Sequence, residues 1–279
     1  MKTKSVTPTQ VWLFILASSL IFLILGSQLG GRLGLFICLL LSLVFHLMLF
    51  YWGEGLLLRR FHLTPLKGQD PWGLNELNIR WSQELGLTTP DLWILEESLP
   101  TAFSFEAPWK RPMVGFSRGL TQNFSKRDLE MILAHQLCHL QSRQSLKSAV
   151  GLLLANSLAI LAEKIDSLWL SHLFFKRRQR PFLWLFSPLI AIFVSISQSK
   201  SDQITADLNA AHLIGQRDQL GHLLWKLEGW ALTHPMSVPT ATSQLFIVNP
   251  ERLRQKNTLL QFHPPLQKRL EKLVGFYPI

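Results

Sequence analysis

Two long apolar runs near the N-terminus restrict what this chain can fold into more than any other feature. The first carries no charge from Ser5 to Gly31 and has its apolar centre at Val11–Leu25; the second runs from Leu33 to Gly53, interrupted only by His46. A helix needs about 20 mostly apolar residues to cross the hydrocarbon core of a bilayer. Both runs reach that length, so the sequence predicts a helical hairpin in a membrane. Lys2 and Lys4 ahead of the first run also fit a signal peptide. No small-residue cleavage site follows at the right place and a second apolar run comes at once, so a retained hairpin is expected. Trp52 and then Arg59 and Arg60 mark an interface and a cytoplasmic flank.

Two further apolar stretches, Ser148–Ala162 and Pro181–Ser199, lie in the second half, with the basic run Lys176-Arg177-Arg178-Gln179-Arg180 between them. The first of these is short for a crossing. A basic loop on the outer side would run against the positive-inside tendency, so crossing, re-entrant and core-packed arrangements all remain open for this pair. Composition agrees with a polytopic membrane protein carrying one modest soluble domain: 48% of residues are hydrophobic and only 16% charged, against about 25% charged in soluble domains. The net charge of +10 raises nucleic-acid binding. The basic residues are scattered, however, and no aromatic–basic motif accompanies them, so attraction to anionic lipid headgroups is the better reading, a plain solvated surface follows closely, and nucleic acid is not expected. Cys38 and Cys138 allow one bridge at most and none is expected.

Between the two apolar pairs, roughly Thr64 to Gln144, the pattern is mixed. Leu74–Leu87 has helical periodicity. Asp91–Glu97 and Pro112–Phe116 read as short strands, with Thr101–Glu106 a strand or loop between them. Ser125-Lys126-Arg127-Asp128 is a capping box that starts a helix running through His135 and His139. Beyond Ser201, Ala206–Ile214 and Leu220–Trp230 read as helices and Thr233–Thr242 as an extended loop. A final helix is predicted over Pro265–Val274, with Lys268, Arg269, Glu271 and Lys272 facing out.

The chemistry concentrates in Ala134-His135-Gln136-Leu137-Cys138-His139-Leu140. Two histidines four apart on a helix project from one face and can share a Zn²⁺. On an arbitrary amphipathic helix such a pair is more often ordinary packing, so the spacing alone is weak. The zincin pattern is H-E-x-x-H, whose Glu serves as general base toward metal-bound water. Here that position is Gln136. A carboxamide accepts a hydrogen bond but does not take up a proton near neutrality, and loss of a general base forfeits ~10²–10⁴ in rate.

The surrounding segments resemble the HtpX-like membrane metalloproteases, relatives of the CAAX-prenyl proteases, along nearly the whole chain. Two apolar runs precede the domain. Pro100-Thr101-Ala102-Phe103 is similar to the family's P-N-A-F stretch, and Gly119-Leu120 with Phe124–Leu129 to its lead into the zinc helix. Met131–His135 is similar to "VLAH", Leu245–Pro250 to "LFIVNP" and His263–Leu270 to "HPPLEKRI". The resemblance implies an α+β, mainly α fold: polytopic membrane helices with a zincin-like (gluzincin) metalloprotease domain containing a small sheet. It divides the chain into an N-terminal hairpin (1–60), the first part of the zincin-like domain (61–147), a second hydrophobic helix pair (148–199) and the rest of that domain (200–279). It implies zinc as cofactor, His135 and His139 as metal ligands, and a third ligand in an E-x-x-x-D helix. Aligning Ala206-Asp207 with the family's Ala-Asp places Gln203 at the third-ligand position and Asp207 at the supporting one. Asp202 is the nearest carboxylate, but a one-residue offset on a helix turns it about 100° away.

Two Glu→Gln differences in one site imply a proteolytically inactive relative with a binding, regulatory or quality-control role. It would sit in a bacterial inner membrane with the catalytic-type domain cytoplasmic, and its partners would be unfolded membrane proteins or an active protease. The alternative is an active zinc endopeptidase with altered ligation. His263 lies near the active site in the family, where a substrate contact competes with a helix-capping role. Arg269 either pairs with an acidic group near the site or stays solvated. His46 in an apolar span is a functional suspect that can equally bond a neighbouring helix. Phe103 and Phe105 suit either an edge strand that takes up an extended polypeptide or ordinary sheet packing. Cys138, offset from both histidines, is expected to pack.

Overall fold

A computed structural model describes residues 8–47, 62–66, 70–106, 111–142, 146–172, 181–197, 200–234, 236, 243, 245–250 and 263–275. Lys2, Lys4, Trp52, Arg59, Arg60, the basic run 176–180 and most of the loop expected over 233–242 lie outside the described residues.

The first apolar runs form one element, α1 (Pro8–Leu47), that leaves helical geometry at Gly30 and Gly31. Gly31 has φ +53°, a left-handed value that costs glycine least. The chain turns back there and its two arms pack together. A Cβ placed on Gly34 would collide with the Gly26 carbonyl oxygen, so only glycine permits this approach. Farther along, His46 Nδ1 donates to the Ser42 carbonyl (2.6 Å). His46 Nε2 lies 2.9 Å from Ser18 Oγ on the opposite arm, and Ser42 Oγ donates to Ser19 Oγ (3.1 Å). Leu13, Leu16, Leu20 and Leu29 stay exposed, and Val11–Leu47 is long and apolar enough to cross a membrane.

A four-stranded sheet follows in the order β1-β2-β4-β3, from β1 (Leu63–Pro65), β2 (Asp91–Leu95), β3 (Ala102–Phe105) and β4 (Met113–Ser117). β2 and β4 run parallel; the outer pairs are antiparallel. α2 (Leu74–Leu85) ends at Gly86 in the left-handed region. The short α3 (Arg118–Asn123) starts on Ser117, whose Oγ accepts from Leu120 N. The sequence pattern signals neither β1 nor α3. α4 (Lys126–Ser142) begins at the expected capping box: Ser125 N donates to Asp128 Oδ2 (3.0 Å) and Asp128 N to Ser125 Oγ (3.2 Å). Every residue from Met131 to Leu140 is buried. A helix buried all round lies at the centre of its domain, here between the sheet, α2 and α7.

α5 (Leu146–His172) and α6 (Pro181–Ser197) pack side by side. Ala155, Ala159 and Ala162 are fully buried in that pairing, as close helix contact favours. Asp166 caps α6 from α5, accepting from Phe182 N (2.9 Å) and Leu183 N (3.0 Å). The stretch that looked short is thus part of a 27-residue helix. α7 (Lys200–Ile214), α8 (Arg217–Thr233) and α9 (Leu266–Val274) complete the described elements. One expectation is corrected here: Arg269 on α9 does not face out but is 2% exposed.

Candidate functional site

α4 presents His135 and His139 one turn apart, both about 1% exposed. Their rings are nearly parallel, 13° between planes and 6.0 Å between centroids. Nδ1 of each ring faces a polar group, and that of His139 makes a hydrogen-bond contact. That of His135 lies 2.9 Å from Asp207 Oδ1 on α7, and that of His139 lies 3.0 Å from Ser104 Oγ on β3. A partner on one ring nitrogen fixes the ring and leaves the other for a metal, which is how metal-binding histidines are oriented.

Asp207 is buried with Arg269, whose Nε and Nη2 donate to Oδ2 (2.7 Å) and Oδ1 (2.8 Å). The remaining Nη1 donates to the Ile247 carbonyl (2.7 Å). Burial alone would push the Asp207 carboxyl up. The Arg269 charge and its paired hydrogen bonds, with His135 adding, outweigh that and hold it at about 2. Asp207 therefore stays an anion, neutralised by Arg269. Of the two alternatives left open for Arg269, the structure takes the pairing with an acidic group near the site; the partner, 62 residues away, is identified only by the fold.

Gln136 and Gln203 are as buried as the histidines. Gln136 Nε2 donates to the Ala102 carbonyl of β3 (3.1 Å), and its Oε1 has no hydrogen-bond partner among the described residues. Gln203 stands one turn before Asp207 on α7. Its Nε2 donates to the Phe246 carbonyl (3.3 Å), and its Oε1 lies 3.1 Å from His263 Nδ1. His263 Nε2 donates to the Ser243 carbonyl (2.7 Å). Two oxygens thus flank the His263 ring, which favours a protonated imidazole. Burial opposes that and pushes His263 down to about 4, against the Ser243 hydrogen bond and with the Arg269 and His135 charges adding. Burial is the larger influence, so the ring is neutral near pH 7 with its proton on Nε2; Nδ1 and Gln203 Oε1 then meet as two acceptors and share no hydrogen bond. Cys138, as expected, packs; burial first, then the Asp207 and Glu84 charges, push its thiol up to about 12.

Among the described residues, the donor set does not fit a catalytic zinc. Such sites take three protein ligands, such as His₃, His₂Glu or Cys₂His. Here two imidazoles stand one turn apart, the carboxylate at hand is occupied by Arg269, and Gln136 and Gln203 are neutral amides already held by main-chain carbonyls. Among the described residues no group of three or more His, Cys, Asp and Glu side chains is placed to hold a metal ion. The structure brings His135, Gln136, His139 and Asp207 together and sets Gln203 and His263 beside Asp207 and Arg269. Ser104, which orients His139, has no signal in the sequence beyond lying in the short strand after Thr101.

The sequence profile of Peptidase family M48 matches residues 77–276. The chain belongs to that family. It is 28% identical over 276 residues to "Protease HtpX homolog" of Pelotomaculum thermopropionicum, covering 95% of this chain and 97% of the relative. It is 27% identical over 268 residues to "Protease HtpX homolog" of Campylobacter concisus, covering 93% of each. Among solved structures it is similar in fold to S. mikatae Ste24p, with a TM-score of 0.50 and 17% identity over 93% of this chain. It spans 62% of that longer protein. M48 is a metallopeptidase family.

Proposed function

We propose that this HtpX-like M48 protein is a membrane-embedded binding or regulatory scaffold that does not hydrolyse peptide bonds. The observation that carries this reading is the pair of buried amides at 136 and 203. The carboxylate that lies against His135 is that of Asp207, which Arg269 neutralises. A side chain that cannot take up a proton near neutrality cannot activate water or protonate a leaving amine. The α1 hairpin, with its exposed apolar faces, and the α5–α6 pair support a multi-pass membrane location with the M48 domain on one side. Unfolded membrane proteins or an active protease are the partner classes this scaffold suits.

One observation favours the second reading, an active zinc endopeptidase. In both histidines Nδ1 faces a polar side chain, Asp207 or Ser104, which supports Nε2 as the nitrogen available to a metal. The test is cleavage of an unfolded fluorogenic protein by the full chain in detergent micelles. The wild type is expected to show no chelator-sensitive cleavage, and Q136E/Q203E to gain it. Chelator-sensitive cleavage by the wild type that disappears in His135→Ala would establish the second reading instead.

A further inference from the structure

β3 is the edge strand of the sheet. Ser117 N donates to the Thr101 carbonyl, so the main-chain groups of Thr101 and, two residues on, Phe103 point toward β4. Alternation then puts those of Ala102 and Ser104 on the outer side. An open strand edge is a template for an added extended polypeptide. In this chain the outer side is taken by the chain itself. Phe246 bridges Phe103 in the antiparallel sense, and Ile247 N donates to the Ala102 carbonyl (2.9 Å). The Phe103 and Phe246 rings pack with centroids 5.6 Å apart, and Leu245, Phe246, Ile247 and Val248 are all buried.

Both glutamines reach this junction. Gln136 comes from α4 to the Ala102 carbonyl on the strand side, and Gln203 comes from α7 to the Phe246 carbonyl on the other. A carbonyl oxygen has two lone pairs, so Ala102 accepts from Gln136 and Ile247 together and has none left for an incoming peptide. A glutamate has no N–H to offer, and at either position its carboxylate would face a carbonyl oxygen, acceptor against acceptor. The same two residues that remove the metal chemistry therefore supply the donors that close the edge.

We propose that Gln136 and Gln203 form a clasp that holds Leu245–Val248 on the outer edge of β3 as a built-in strand, closing that edge to other extended polypeptides. The clasp rests on the hydrogen bonds alone and holds whether or not the protein cleaves anything.

The test is amide hydrogen exchange on the full chain in detergent with chelator present throughout, so that metal loading plays no part. In Q136E/Q203E, exchange at Ile247 is expected to speed up roughly tenfold, the size set by losing one or two buried hydrogen bonds. The β4 amides at 113–117 should stay unchanged. The neutral variant Q136M/Q203M, of similar shape, is expected to move Ile247 in the same direction and serves where the acidic variant does not fold. Gln141→Glu removes a similar side-chain bond, to the Leu85 carbonyl, away from the junction, and should leave Ile247 alone. A labelled peptide copying Leu245–Pro250 should bind Q136M/Q203M several-fold more tightly than the wild type. Ile247 exchange within twofold of wild type in the folded variants would overturn the clasp. So would acceleration shared equally by β4, or no gain in peptide binding.

Discussion

Replacing Arg269 with Met tests the electrostatic centre of the domain. Arg269 and Asp207 are both about 2% exposed or less and are joined by two hydrogen bonds of 2.7 and 2.8 Å. Removing the guanidinium leaves a buried carboxylate without its counter-ion and deprives the Ile247 carbonyl of its Nη1 donor. Breaking a buried pair from one side costs about 3–5 kcal/mol, most of it the uncompensated charge. For a domain of this size about 1 kcal/mol shifts Tm by roughly 2–4 °C, so R269M should lower Tm by roughly 10 °C in thermal unfolding of the detergent-solubilised chain. Asp207→Asn alone should also destabilise, because the cation then lacks its anion. R269M/D207N should lose less than the sum of the single variants, with a coupling on the order of 1–3 kcal/mol. A Tm change under about 2 °C for R269M, or strict additivity, would refute the claim that this pair is buried and mutually dependent.

Two other outcomes follow from the same structure. The folded Asp207 carboxyl lies at about 2, below its ordinary value of 3.8, so its contribution to stability is complete above about pH 4 and is lost as pH falls from there toward 2; D207N should lack that acid limb when Tm is followed against pH. Gly34→Val should force the α1 arms apart, because the new Cβ meets the Gly26 carbonyl. A dipolar distance measurement across the hairpin should show that separation, whereas Leu29→Ala, at an exposed position, should leave the distance unchanged.

How much is legible in the sequence depends on whether the signal is local. The hairpin can be read from its apolar runs, and the glycines that turn it sit where the charge-free stretch ends. β2, β3 and β4 emerge within a residue or two of the expected bounds, because each is a short apolar run between turn residues. The capping box fixes the start of α4 and with it the register of His135, Gln136 and His139. Non-local features escape. Lys268, Arg269, Glu271 and Lys272 look alike in sequence, and only packing against α7 selects Arg269 for burial. β1 is three residues long and carries too little pattern to stand out. The pairing of Phe246 with Phe103 joins segments far apart in the chain, and no periodicity announces it. Gln136 and Gln203 are legible as departures from a metal-site pattern, whereas their donation to two main-chain carbonyls becomes visible only with the fold.

The measurement that tests the central claim most directly is zinc per chain in detergent-purified protein, compared among the wild type, His135→Ala and Q136E/Q203E after equal exposure to zinc and washing. The account predicts well under one zinc per chain in the wild type, no further change in His135→Ala, and close to one in the variant that regains both carboxylates. Near-stoichiometric zinc in the wild type that disappears in His135→Ala would contradict it and show that two histidines and neutral amides suffice to hold the metal.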